Sequence, residues 1–304
     1  MRGIVNSRSQ LDAKPRGGFG LRTRRLIGTR RPDLGPIVCY GLLIAASIFA
    51  LAPIFWMLSV SLRPNRGIFS IPPNLLPPEF TTEAYARILG TPEYLRAFGN
   101  SYVVAFAVTV VSLALATLGA YGFARFEFRY SRTLRFLVIA TQMVPPISLM
   151  VPYFILITTL KLYNTYTGLV LTYTAFVLPF STLMMISYFK SIPEELEEAA
   201  MVDGCSRMGS LARIVLPIAL PGIVATGVYA FLLAWNEFLF AVTLTQSVDM
   251  RLVTVALALL AGEHAYQWNI MMGFSVLASI PLLIAFLFFQ RYLVSGLTVG
   301  AVKG

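Results

Sequence analysis

Apolar residues fall into six long blocks, each a candidate membrane-crossing helix. Between positions 36 and 62 there is no Asp, Glu, Lys, Arg or His, and a helix of that length crosses a hydrocarbon core of about 30 Å with some tilt. Ala50-Leu51-Ala52 resembles a signal-peptidase site, but the apolar run continues past it with Pro53 directly after, so the block reads as an uncleaved anchor. The other blocks cover 101–124, 136–157, 168–189, 217–245 and 270–290. In the second, Ser112, Ala116, Ala120 and Ala124 recur every four residues and make a small-residue face that lets another helix approach closely. In the third, Pro145, Pro146 and Pro152 each remove a backbone donor, so the helix must kink or unwind where protein or water meets the freed carbonyls. A short helix is expected near Glu83 to Leu89, inside a polar loop carrying Pro72-Pro73 and Pro77-Pro78.

The stretch 190–217 is the long acidic-and-basic segment trapped between two apolar blocks. Ser191 and Glu194 have capping-box spacing, and the glutamates favour the positive end of a helix. Gly204 then permits a reversal after Asp203, before a second helix through Ser206, Met208 and Leu211.

Composition fixes the class. Hydrophobic residues make up 57% of the chain and charged ones 12%, with a mean hydropathy of +0.73, which is more apolar surface than a soluble domain can hide. The net charge of +10 depends on where the cations lie. Eighteen of the 24 Lys and Arg fall in 1–35, 125–135, 190–216 and 291–304, and six in the intervening loops. By the positive-inside rule the first group is cytoplasmic, giving six spans with both termini inside. Residues 1–35 should be a disordered basic tail drawn to anionic membrane lipid, with no need of nucleic acid to explain its arginines. Cys39 and Cys205 lie in an apolar span and a polar loop, so no disulfide or metal site is expected.

Three motifs carry a family resemblance. Glu198-Ala199-Ala200, Gly204, Ile214, Leu216 and Pro217 spell EAA-x3-G-x9-I-x-LP, which resembles the cytoplasmic loop of bacterial ABC importer permeases. Ala234-Trp235-Asn236-Glu237-Phe238 is similar to the fifth helix of the sugar-type members. The ending from Gln290-Arg291 to Gly296-Leu297-Thr298-Val299-Gly300-Ala301-Val302-Lys303-Gly304 resembles that of MalG-like permeases. The resemblance implies an all-α, polytopic membrane protein of the MetI-like ABC type I permease fold in a bacterial inner membrane. It also implies a second, MalF-like permease, two ATPase subunits that hold the ATP and Mg, and an extracytoplasmic sugar-binding protein. The segment near 205–213 would be the coupling helix seated in the ATPase, with Met208 and Leu211 as apolar anchors. Glu198 would meet the motor or steady the loop. Thr298, Gly300 and Lys303 would reach into the ATPase dimer interface.

No GxxxxGK[ST], HExxH, CxxC or GxSxG occurs, and His264 is the lone histidine, so nothing points to catalysis in this chain. Glu237 is the one Asp, Glu, Lys, Arg or His inside the spans, where an unpaired charge costs several kcal/mol unless it faces water, a partner or a proton. Thr226, Tyr229, Asn236 and Thr243 recur around it as one helical stripe, and Gln142 lies beside the proline kink. Two readings stand. The stripe lines a translocation path, or Asn236 and Glu237 bond to neighbouring helices near the outer interface, with Trp235 in the aromatic belt. A path of hydroxyls, amides and a carboxylate favours a neutral sugar over an anion. A proton-coupled secondary transporter using Glu237 is the alternative function.

Overall fold

The computed structural model describes residues 34–69, 74–77, 79–263 and 267–301. The basic tail before Leu34, His264 and Lys303 lie outside them, and of Thr298 and Gly300 only the backbone is described. All regular structure among the described residues is helical. The helices are α1 (Leu34–Ser61), α2 (Glu83–Gly90), α3 (Pro92–Arg125), α4 (Ser131–Thr141), α5 (Met150–Thr159) and α6 (Tyr166–Ser191). They continue with α7 (Glu195–Val202), α8 (Arg207–Ser210), α9 (Leu216–Ile218), α10 (Leu220–Asn236), α11 (Leu239–Leu244), α12 (Val253–Glu263) and α13 (Trp268–Ala301). A π-helical turn, Leu211–Val215, joins α8 to α9. The chain divides into two compact units after Ala50. The second, Leu51–Gly304, carries the helix packing and the 190–217 loop.

Among the described residues four helices, α1, α3, α6 and α13, are long and apolar enough to cross a membrane, and six spans result if two bent pairs count as one each. The bends answer to prolines. Ser131–Thr141 and Pro146–Thr159 meet at 95°, with Pro145 extended between them and a 3-10 turn, Pro146–Leu149, before α5. Of the two outcomes expected in the third block, a kink or an unwinding, the helix takes the second and breaks fully. The fifth block differs more from expectation: it does not run unbroken from 217 to 245. Arg207–Ile218 and Leu220–Asn236 meet at 77° where Pro221 cannot donate back into the preceding turn, and the chain breaks again at Glu237 and Phe238. The last block continues as helix past 290 to Ala301, so the expected tail begins as a continuation of α13.

α3 and α6 form the central pair. Ser112, Ala116 and Ala120 are fully buried, and the two alanines share a core cluster with Met185, Ile186 and Phe189, so the four-residue spacing is a packing face. A larger cluster occupies the other end, joining α3 and α6 to α10, α11, α12 and α13. There the segment before α12 is laced to α3. Asn100 Nδ2 donates to the carbonyls of Asp249 (2.7 Å) and Arg251 (2.9 Å), Arg96 pairs with Asp249, and Ser101 Oγ accepts from Val253 N at 2.8 Å.

Candidate coupling loop and translocation cavity

The loop after α6 folds as two short helices about one glycine. Gly204 has φ +88°, and its N–H donates to Met201 O at 3.1 Å while Cys205 N donates to Ala200 O at 2.9 Å. These bonds satisfy the end of α7 in a Schellman arrangement, whose left-handed residue is ordinarily glycine. Ser206 opens α8, its Oγ accepting from Gly209 N at 3.1 Å. The capping box expected at Ser191 is absent: that hydroxyl donates to Tyr188 O at 2.7 Å, inside α6, because Ser191 is the last residue of that helix.

Burial sorts the motif into two faces. Ala200 and Leu211 are buried, with Ile214 and Leu216 half-buried, whereas Glu198, Ala199, Gly204, Met208 and Pro217 are exposed. Leu211 packs with Val215 and Ala219 against Met185, Phe189 and Ile192. It is thus a floor residue and not an exposed anchor. Met208 does project, 59% exposed, and Val202 more so at 87%.

Beneath this surface lies a charge that the motif does not reveal. Glu197, not Glu198, steadies the loop: its Oε1 accepts from Arg125 Nε at 2.5 Å and its Oε2 from Tyr121 Oη at 2.8 Å. Both charged side chains are nearly buried, at 5% and 6% exposure. Arg125 Nη2 also donates to Ile192 O at 2.8 Å, and Nη1 lies 3.7 Å from the exposed Glu194. The first helix of the loop is thereby fastened to the end of α3. Helical phase alone does not say which of two adjacent glutamates turns inward, and the partner arginine stands 72 positions away.

At mid-chain a cavity of about 460 Å³ opens between the α4–α5 break, α6 and the α10–α11 break. Gln142, Tyr229, Asn236 and Glu237 all line it. Thr226 does not: it is fully buried, and Thr243 sits beyond the break with its hydroxyl bonded to Leu239 O, so the expected continuous stripe is divided. Tyr173 joins the lining from α6, a residue indistinguishable by sequence from the aromatic core around it. Glu237 accepts from the backbone amides of Phe240 (2.9 Å) and Ala241 (3.0 Å), closing the first turn of α11, where partial positive charge favours a carboxylate. Asn236 bonds within its own helix to Leu232 O at 2.8 Å. Trp235 is buried, donating to Ala278 O at 3.2 Å and packing on Tyr102 and Phe231, so it takes no place in an interfacial belt.

Residues 112–299 match the family described as "Binding-protein-dependent transport system inner membrane component". The chain belongs to this family. It is a multi-pass inner-membrane permease subunit of an ABC importer, non-catalytic itself, with ATP hydrolysed by a partner ATPase. Its relatives include the trehalose/maltose transport system permease protein MalG of Thermococcus litoralis, 38% identical over 86% of this chain and 94% of that one. Another is the sulfoquinovosyl glycerol transport system permease protein SmoH of Agrobacterium fabrum, 37% identical over 86% and 93%. Among solved structures, a chain of a bacterial ABC transporter that imports the acidic polysaccharide alginate superposes with a TM-score of 0.75. That match covers 87% of this chain and 98% of that one at 23% identity, a likeness of fold. The proton-coupled alternative finds no support in these relationships.

Proposed function

We propose that this permease is the MalG-like half of a carbohydrate importer. A second MalF-like permease completes the path, two ATPase subunits dock on the 190–217 loop, and an extracytoplasmic sugar-binding protein delivers cargo. Both termini are cytoplasmic. Relatives whose names specify sugar cargo support the class. The observation that carries the cargo reading is the cavity itself: its polar lining is Thr141, Gln142, Tyr173, Tyr229, Asn236 and Glu237, without a lysine or arginine. Such a surface hydrogen-bonds and stacks against hydroxylated rings, and its carboxylate repels an anion.

ATP-driven closure of the motor moves α8 and α9, and the packed floor Leu211, Val215 and Ala219 passes that motion to α6, while the Glu197–Arg125 pair passes it to α3. Exposed Glu198, Ala199 and Met208 meet the motor. Thr298, Gly300 and Lys303, at the end of the chain, approach the ATPase dimer interface. The test is ATP hydrolysis by the purified complex in lipid vesicles, with binding protein and a panel of neutral and acidic sugars. Stimulation by a neutral sugar is expected; stimulation confined to uronic or sulfonated sugars would refute the cargo reading.

A further inference from the structure

A second cavity, of about 600 Å³, opens at the loop end of the molecule, where α3 stops, α4 starts and α6 stops. Its charged lining is Arg125, Arg129, Arg135 and Lys190 with Glu127 and Glu194. Arg125 is neutralised by Glu197. The remaining three cations exceed the two carboxylates by one. Arg135 is held back along α4 by its Nε bond to Ser131 O at 3.4 Å, so its side chain runs toward the first turn of α4, and Ser131 in that turn also lines the cavity. The amides opening an 11-residue helix add partial positive charge at the same place.

We propose that this cavity binds the phosphodiester headgroup of an anionic glycerophospholipid. Two features, depth and an adjoining apolar surface, favour a lipid over a soluble anion, and a third sets the charge of its headgroup. The cavity lies level with the ends of candidate spans, the depth at which headgroups sit. One phosphodiester charge balances the surplus of one. The surface leading away from it is apolar and open: Phe128, Phe136 and Leu137 are exposed, and α4 contains no buried residue, which suits acyl chains. Basic pockets between spans on the cytoplasmic side bind anionic headgroups on this principle. The proposal rests on the importer reading only in assigning the cytoplasmic leaflet, because the cavity shares Arg125 and Glu194 with the base of the coupling loop.

The experiment is native mass spectrometry of the complete detergent-purified complex, titrated separately with phosphatidylglycerol and phosphatidylcholine. The expected result is phosphatidylglycerol retained about tenfold more tightly, three nearby cations opposed by two carboxylates at moderate salt. The triple variant Arg129→Gln, Arg135→Gln, Lys190→Gln should bind both lipids alike. Lys190→Gln alone, a milder change that spares folding, should lose part of the preference, and Arg213→Gln, an exposed cation outside the cavity lining, should lose none. A preference untouched in the triple variant overturns the proposal. So does displacement of the lipid by millimolar inorganic phosphate, which makes the site one for free phosphate. A preference that emerges only after the ATPase is stripped away assigns the cavity to the motor and overturns it equally. Lipid retention is read without transport or hydrolysis, so failure of the importer reading registers separately.

Discussion

Replacing Glu197 by alanine tests how the loop is held. The variant leaves the Arg125 guanidinium buried at 5% exposure with one carbonyl, Ile192 O, and a solvent-facing carboxylate 3.7 Å away. Neither charge of the native pair is screened by water, so the small values typical of surface pairs do not apply. Removing one partner of a buried pair costs about 3–5 kcal/mol. Glu194 remains near enough to offset part of that, and the lost Tyr121 bond adds about 1 kcal/mol, so a net loss of about 3 kcal/mol is expected. Denaturant unfolding of the purified complex measures it, with Arg125→Leu, Glu197→Leu and the double variant completing a cycle. The double variant should regain most of the stability, since an apolar pair of similar volume avoids the desolvation cost, yet transport per ATP hydrolysed should stay low because α7 is no longer fastened to α3. Additive losses across the cycle, or single losses below about 1 kcal/mol, would refute the reasoning.

Gly204→Asp should abolish ATP-coupled uptake while leaving membrane insertion intact, because at φ +88° a side chain costs about 1–2 kcal/mol in a turn with few other contacts; unchanged uptake removes Gly204 from the hinge. A Cβ at Gly222, in the first turn of α10, would run into the Tyr188 ring of α6, so Gly222→Ala should lower the unfolding midpoint and Tyr188→Ala should restore it, whereas no effect would mean the ring moves freely. Glu237→Gln keeps one acceptor for the amides of α11 and should cost about 1 kcal/mol or less, while transport persists without dependence on a proton gradient; uptake that vanishes together with a proton requirement revives the carrier reading.

Much of the span pattern was legible because hydrophobic length is a local property. The blocks around 36–62, 101–124 and 168–189 appear as α1, α3 and α6, the latter two lengthened at both ends and α1 shifted by a residue or two, and Gly204 announced its turn because few other residues take positive φ. What sequence left hidden depends on three-dimensional neighbours. Glu197 and Glu198 are equivalent in composition and adjacent in phase, and only the position of Arg125 separates a buried anchor from an exposed contact. Leu211 and Met208 are both apolar and three positions apart, but only the first meets Met185 and Phe189. The break at Glu237 carries no proline; its signal is a carboxylate three and four residues before the amides it caps, a pattern that an apolar window overrides.

The most direct test of the central claim, that the exposed face of the 190–217 loop receives a separate ATPase, is site-specific photo-crosslinking within the intact complex. A photoreactive residue at Val202 or Met208, both strongly exposed, should capture the ATPase in a nucleotide-dependent manner. The same probe at Leu76, exposed but in the loop between α1 and α2, should capture none. Equal capture at all three positions, or none at Val202 and Met208 while the ATPase copurifies, would contradict the account.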